Sequence, residues 1–410
     1  MSMPSLLLRT SRTSIACASR NLRTTTNPYL SSARAMTSIS TTTPSNPRPA
    51  PDDVSVKTHH NKGKKGFTNP WPSFREMNFW TIMRWVWLGK IEGTRSDPDL
   101  TGPLPPVRKS NFLPTRETAT LRATWLGHAC SYLEFPNGLR VLFDPVFEER
   151  CSPFSFAGPK RYTKAPCQVE DLPFVDVLVI SHNHYDHMSW PTLQALRKRF
   201  PDVQVLTPLG NKQWFKEGGF RNVEQMDWWE EREVKVEVEG KEMEARIGCL
   251  PAQHTSARFG WDKGERLWGS FSIEAGGKNV WFAGDTGYRT VPKLGKGEDD
   301  YGEAHKDLPH CPAFEQIGEL RGPFDLGLIP IGAYEPRWLM SPVHANPYDS
   351  VDIYVETKCE RALGIHWGTW VLTEEEVLEP PRMLKEALKR KGLKEEGAFE
   401  VCDIGESREY

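Results

Sequence analysis

The sequence contains no run of about 18 apolar residues, which excludes an ordinary membrane-spanning helix. It also lacks a basic excess: 52 Lys and Arg stand against 54 Asp and Glu, for a formal net charge of −2. That balance excludes a globally basic nucleic-acid binder and a bulk acidic disordered chain. There is no CxxC pair among the eight cysteines, at positions 17, 130, 151, 167, 249, 311, 359 and 402. Scattered in this way through 410 residues, they read as reduced thiols buried like small hydrophobes, not as a disulfide frame. Asp, Glu and Lys are absent from residues 1–51, where six Arg and 19 Ser or Thr occur. Arg-rich, Ser-rich and acid-poor composition is the mark of a mitochondrial-type transit peptide, and Leu6–Leu8 with the spaced arginines fits an amphipathic helix. Leu6–Leu8 is too short for the apolar stretch of a secretory signal, so the alternative is a disordered tail with no address. The rest of the chain carries 46 basic against 54 acidic residues, a net −8.

Four segments follow from the composition. Residues 1–55 are low in complexity, rich in Ser, Thr, Pro and Arg, and predicted to be disordered or removed. Residues 56–118 hold a basic run (57–65), then an aromatic stretch with Trp71, Trp80, Trp85 and Trp87, then a Pro/Gly-rich linker. The aromatic stretch suits a membrane interface; an aromatic helix packed onto the body is the other reading. Residues 119–395 form the main domain and 396–410 a tail. Within the main domain, Asn137-Gly138, Glu239-Gly240 and Gly276-Gly277 mark hairpins. The unbroken apolar run FVDVLVIS at 174–181 reads as a strand buried on both faces. Residues 191–200 and 382–391 have helical spacing. Strands with intervening helices predict an α/β class with packed sheets.

The strongest chemical signal is the loop Ser181-His182-Asn183-His184-Tyr185-Asp186-His187, which directly follows the buried strand. Three imidazoles and a carboxylate so close together make a ligand set suited to zinc or a neighbouring transition metal. A His-rich solvated loop is the alternative. Other candidates also end strands: His254, Asp285 between Gly284 and Gly287, and His366. Each alone fits a core histidine bonded to backbone, or an aspartate capping a turn. Together with the loop they complete two sites: His182, His184 and His254 in one, Asp186, His187 and His366 in the other, and Asp285 able to bridge.

The motifs HNHYDH, LPAQHTSAR, FAGDTGY, IGAYEPRW and IHWGTW, with NPWPSF and TWLGHA, resemble the N-acylphosphatidylethanolamine-hydrolysing phospholipase D family of the metallo-β-lactamase superfamily. The resemblance runs over about residues 67–380. It implies an α/β fold, a four-layer αββα sandwich over 119–395, two Zn2+ ions, and cleavage of the membrane phospholipid to N-acylethanolamine and phosphatidic acid. A metal pair suits an anionic, slowly hydrolysed phosphodiester, because it lowers the pKa of water and stabilises charge on phosphoryl oxygens. The resemblance assigns catalytic roles to Asp285 and His344, with His344 and Tyr185 as substrate-binding residues. An exposed loop histidine and a core tyrosine are their respective alternatives.

His128 is expected to support the ligand loop, since seven ligands already fill two sites. His59, His60, His305 and His310 read as solvated, and Arg258 and Arg337 as surface salt bridges or anion contacts. The expected partners are membrane phospholipid, met by peripheral association, and a second copy of the chain through the family's homodimer; nucleic acid is not expected. The expected location is the mitochondrion. Competing functions are hydrolysis of another phosphodiester or a lactone on the same fold, and metal-bound lipid binding without turnover.

Overall fold

Two β-sheets lie face to face, and their central strands, such as Val177–Val179, Leu326–Pro330 and Ala362–Ile365, are buried along their whole length. In the computed structural model, residues 36–410 are described, except 90, 94, 260 and 296. The first strand, β1 (Met36–Thr42), is followed by helix α1 (Phe79–Trp87). Then come β2 (Arg122–Trp125), β3 (Ser131–Glu134), β4 (Arg140–Phe143), β5 (Val177–Val179), α2 (Trp190–Arg199), β6 (Gln204–Pro208), α3 (Lys212–Glu217) and β7 (Asn222–Met226). The second half runs β8 (Glu231–Val238), β9 (Lys241–Leu250), β10 (Ser270–Ala275), β11 (Lys278–Phe282), α4 (Ala313–Leu320), β12 (Leu326–Pro330), α5 (Arg337–Met340), α6 (Pro347–Glu356), β13 (Ala362–Ile365), α7 (Glu379–Arg390), β14 (Phe399–Glu400) and β15 (Ser407–Glu409).

One sheet has the order β15-β2-β3-β4-β5-β6-β7 and the other β1-β8-β9-β10-β11-β12-β13-β14. Both pass from antiparallel hairpins to parallel strands: β4, β5, β6 and β7 are parallel in the first, β11 to β14 in the second. In β5, Val177 and Val179 face the other sheet, while Leu178 and Ile180 join Leu193, Leu196 and Phe215 beneath α2 and α3. Phe143 and Phe282 meet between the sheets with ring centroids 4.6 Å apart. On the far side Trp281 meets Phe314 of α4. The layers are therefore helix, sheet, sheet, helix, as predicted. Parallel strands place their carboxyl ends along one rim, and the ligand-type residues stand there.

Three expectations are corrected. Disorder does not extend to residue 55: β1 pairs antiparallel with β8, with Ile39 opposite Val236 and packed on the core. β-Branched residues in TSISTT suit an edge strand, and β8 would otherwise present bare backbone groups. Residues 1–35, which hold most of the transit-like composition, lie outside the described residues. The 396–410 stretch is not a tail, because β14 extends one sheet and β15 pairs with β2 in the other. His59 and His60 are not solvated. Their Nε2 atoms sit 2.7 and 2.8 Å from the two oxygens of Asp227, and Lys57 Nζ donates to the same carboxylate at 2.9 Å. The basic run is thus partly spent on an internal anchor, and His59 stacks on Trp228. Trp71 stacks on the same Trp228 ring, 5.3 Å away.

Candidate metal centre

Every candidate ligand follows a strand of the central rim. The loop 181–187 leaves β5, His254 follows β9, Asp285 follows β11 and His366 follows β13. Gly284 has φ 61°, and a Cβ there would lie 2.8 Å from Ser181 Cβ, so glycine lets the Asp285 turn rest on the histidine loop. His366 itself adopts φ 64°, a conformation strained for a side chain bearing a Cβ; its amide donates to the His128 carbonyl at 2.9 Å.

His182 Nε2 lies 2.8 Å from His184 Nδ1, which lies 3.2 Å from His254 Nε2. Three ring nitrogens thus converge on one point. The second group is Asp186, His187, His366 and His128, whose ligand-type atoms all lie within 4.8 Å of one another. Asp285 stands between the groups. Its Oδ2 is 3.1 Å from His187 Nε2, 3.7 Å from His254 Nε2 and 3.9 Å from His182 Nε2, and its Oδ1 is 3.0 Å from His366 Nε2. All seven predicted ligand residues are therefore brought together.

The outer partners set the tautomers. His254 Nδ1 donates to the Val343 carbonyl at 2.9 Å, leaving the Nε2 lone pair for the centre. His187 Nδ1 bonds Asp144 Oδ2 at 2.7 Å, which turns its Nε2 toward the centre. Burial pushes the pKa of His182 and His254 well below the ordinary imidazole value and that of His128 down to about 3. His187 moves the other way: burial opposes its charge, but Asp285, Asp186 and Asp144 outweigh that. Burial likewise opposes the charge on Asp285, yet His187 and His366 hold it well below the usual carboxylate range.

Among the described residues, His187 Nε2, both ring nitrogens of His366, Asp285 Oδ1 and His344 Nδ1 are buried without a hydrogen-bond partner. Such an atom costs about 1–3 kcal/mol unless something takes its lone pair. Imidazole nitrogens and carboxylate oxygens converging in pairs of sets meet that need with cations, so the residues fit a metal group.

His344 lies at the edge, its ring 5.1 Å from that of His254 and its Nδ1 4.0 Å from Asp285 Oδ2; burial lowers its pKa to about 4. Tyr185 is half-buried, with the Arg258 guanidinium 4.0 Å from its ring centroid. Arg258 donates to the carbonyls of Asn183 and Met188, and Arg337 is buried on Asp349 at 2.7 Å, so neither makes the surface contact expected. His128 Nε2 bonds Asp186 Oδ2 at 2.9 Å, a geometry suited to holding that carboxylate in place.

Residues 139–367 match the β-lactamase superfamily domain, more than half of the chain. The chain is 37% identical over 292 residues to N-acyl-phosphatidylethanolamine-hydrolyzing phospholipase D 1 of Caenorhabditis elegans, covering 70% of this chain and 75% of that protein. The chain belongs to this phospholipase D family of the β-lactamase superfamily. Another relative is the mitochondrial N-acyl-phosphatidylethanolamine-hydrolyzing phospholipase D of Saccharomyces cerevisiae, 35% identical over 274 residues; the match takes in 66% of this chain and 53% of that longer protein. An uncharacterized protein of Mycobacterium bovis is 34% identical over 275 residues, or 65% of this chain and 64% of that one.

Sequence reasoning missed one member of this family site altogether. Asp144 follows β4 with φ 38°, accepts from Ser181 N and Oγ at 2.8 and 2.5 Å, and holds His187. Its signal was available: LFDP ends a strand on a carboxylate, as NVWFAGD does.

Proposed function

We propose that this chain is a two-zinc phospholipase D that hydrolyses N-acylphosphatidylethanolamine to N-acylethanolamine and phosphatidic acid at a membrane surface. The observation that carries the reading is the convergence of two ligand sets on Asp285, in a chain 37% identical to the worm enzyme of that name. His182, His184 and His254 would hold one ion, Asp186, His187 and His366 the other, with Asp285 between them. Nitrogen-rich sets with one or two carboxylates suit zinc. When bound, the pair supplies Lewis-acid polarisation of phosphoryl oxygens and activation of water.

The residues do the rest. Asp285, held anionic, keeps the two sets in register. His344, kept neutral by burial, presents an N–H beside the centre that hydrogen-bonds the departing ethanolamine oxygen as the P–O bond breaks, while the proton that oxygen gains comes from water. The water oxygen ends on phosphatidic acid and its protons are shared between the two products. Tyr185, steadied by Arg258, is the second substrate contact in this reading.

A lipid substrate is supported by an apolar cavity of about 160 Å³ lined by Phe74, Met77, Ile82, Trp85, Leu339 and Val343. It abuts Thr255 and Val343, the chain neighbours of His254 and His344. Among the described residues no helix is long and apolar enough to cross a membrane. Peripheral contact is supported by Trp80 and Ile91 at the surface, 76% and 83% exposed, and by the stacked, exposed pair Phe259 and Trp261 in the loop after His254. A mitochondrial location is supported by the Arg-rich, acid-free first 51 residues and by the yeast relative's name. A homodimer belongs to the same reading, and sedimentation velocity tests it.

The deciding experiment incubates zinc-loaded protein with mixed phospholipid vesicles in H2 18O. Mass spectrometry should find N-acylethanolamine and 18O-labelled phosphatidic acid. Diacylglycerol would mean that the other P–O bond breaks, and no product from any phospholipid would return the chain to the lactone and non-catalytic readings.

A further inference from the structure

Three loops bearing site residues meet on one residue that belongs to neither ligand set, partly through its backbone and partly through its side chain. Gln253 is fully buried next to His254 in the chain. Its backbone N–H donates to Thr286 Oγ1 at 2.9 Å and its backbone carbonyl accepts from Gly287 N at 2.7 Å, which joins it to the turn after Asp285. Its Nε2 donates to the Pro342 carbonyl at 3.0 Å, two residues before His344. The Asp285 and His344 loops touch so closely that a Cβ on Gly287 would lie 2.5 Å from the Pro342 oxygen, and Ala345 N donates to the Thr286 carbonyl at 2.7 Å.

One acceptor of Gln253 remains, and a distant part of the chain fills it. Ser73 Oγ donates to Gln253 Oε1 at 2.5 Å, and Ser73 is itself buried, 1% exposed. Four residues earlier Asn69 Nδ2 donates to the His254 carbonyl at 2.8 Å, and Thr290 Oγ1 donates to the Ser73 carbonyl at 2.7 Å. Both residues stand in the aromatic segment, far upstream of residue 139 where the superfamily match begins.

We infer that the segment around Asn69–Ser73 is a working part of the metal centre, and that Gln253 is a positioning residue through which it holds the His254, Asp285 and His344 loops together. Glutamine suits this place because one planar amide both donates and accepts, so a single side chain ties the Pro342 stretch to the Ser73 segment while its backbone holds the turn after Asp285. The side-chain amide is buried, so losing either of its bonds strands a polar group and frees the Pro342 stretch to shift. His254 is oriented by the Val343 carbonyl, so movement of the 341–344 stretch turns a ligand and displaces His344 at once. The segment that reads as a membrane contact thus has a second task inside the protein. Holding the centre does not depend on which ester is cut.

The test uses the full-length chain carrying Gln253→Ala, Ser73→Ala, Ser73→Thr and Asn69→Ala. Zinc retention is measured by competition with a chromophoric chelator, the site's shape by the visible spectrum of the cobalt(II)-substituted protein, folding by thermal unfolding, and docking by co-sedimentation with phospholipid vesicles. Gln253→Ala and Ser73→Ala should each weaken zinc retention by about 10-fold or more and alter the cobalt spectrum, with vesicle binding unchanged. Ser73→Thr, which keeps the hydroxyl, should restore both. Should Gln253→Ala not fold, Ser73→Ala and Asn69→Ala decide the matter, since each removes one bond at the edge of the network. Wild-type zinc retention and cobalt spectra in these two would overturn the inference. A wild-type protein that cuts no N-acylphosphatidylethanolamine but loses zinc in Ser73→Ala would sink the reaction proposed above and leave this inference standing.

Discussion

The two ligand sets are both built mainly from imidazoles but supported by opposite chemistry. In the first, His182 leans on the Ser181 hydroxyl at 2.9 Å and His254 on a backbone carbonyl, both neutral partners. Burial then drives these imidazoles firmly to the neutral form. In the second, His187 rests on the buried carboxylate of Asp144 and Asp186 is held by His128. There the surrounding carboxylates outweigh burial, and His187 favours its proton until something displaces it. The first set is thus ready to receive a cation by default, whereas the second must exchange a proton for it and gains more charge compensation when it does. Asp285 faces both sets, so their difference can be felt through it.

The hardest blow to the comparison is Asp285→Ala, which removes the shared oxygen atoms. Turnover should vanish and zinc stoichiometry fall; full activity would break the idea of two coupled sets. Next is Asp144→Asn, which keeps shape but removes charge behind His187. It should lower zinc affinity or activity by about 10–100-fold, read by chelator competition and initial rates, with the loss confined to one of two bound ions. Ser181→Ala sharpens the contrast, because it strips one neutral bond from His182 and one from Asp144. A loss of about 1 kcal/mol in zinc binding is expected, so an effect as large as that of Asp144→Asn would erase the distinction between neutral and charged support.

The smallest effect on the centre should come from a third cluster that resembles a metal site. His59, His60 and Asp227 could group around an ion, but each ring already bonds an oxygen of Asp227 and Lys57 adds a fixed positive charge. Asp227→Asn should leave zinc stoichiometry unchanged and cost about 1–3 kcal/mol in denaturant unfolding. Burial opposes the charge of Asp227, but His59, Lys57 and His60 depress its pKa below the ordinary value. A depressed folded pKa contributes stability that is present above the unfolded value, about 3.9, and lost as pH falls through the folded one. The gap between wild type and Asp227→Asn should therefore be constant near neutrality and narrow below about pH 4.

What was legible in the chain was local. Turns at Asn137-Gly138 and Glu239-Gly240 rest on positive φ, 101° at Gly138, 52° at Glu239 and 79° at Gly240, and the hairpins follow from the turns. The apolar run before Ser181 had to be a doubly buried strand, and a histidine loop leaving it had few innocent explanations. Helix α6 carries a start that can be read locally, Asn346 capping Asp349 N with Pro347 in the first turn. The edge strands β1, β14 and β15 were not legible: two to seven residues of ordinary composition become strands only because a partner edge waits for them.

The sequence by itself determined the ligand types, their attachment to strand ends and the α/β layering, since these depend on side-chain period and residue chemistry within a short window. Only the tertiary structure decided that Asp144 stands behind His187, that His59 and His60 spend themselves on Asp227, and that Ser73 reaches Gln253 across 180 residues of chain. Those pairings are set by which loops two stacked sheets bring to one rim, and no local pattern encodes a contact whose partner lies half a chain away.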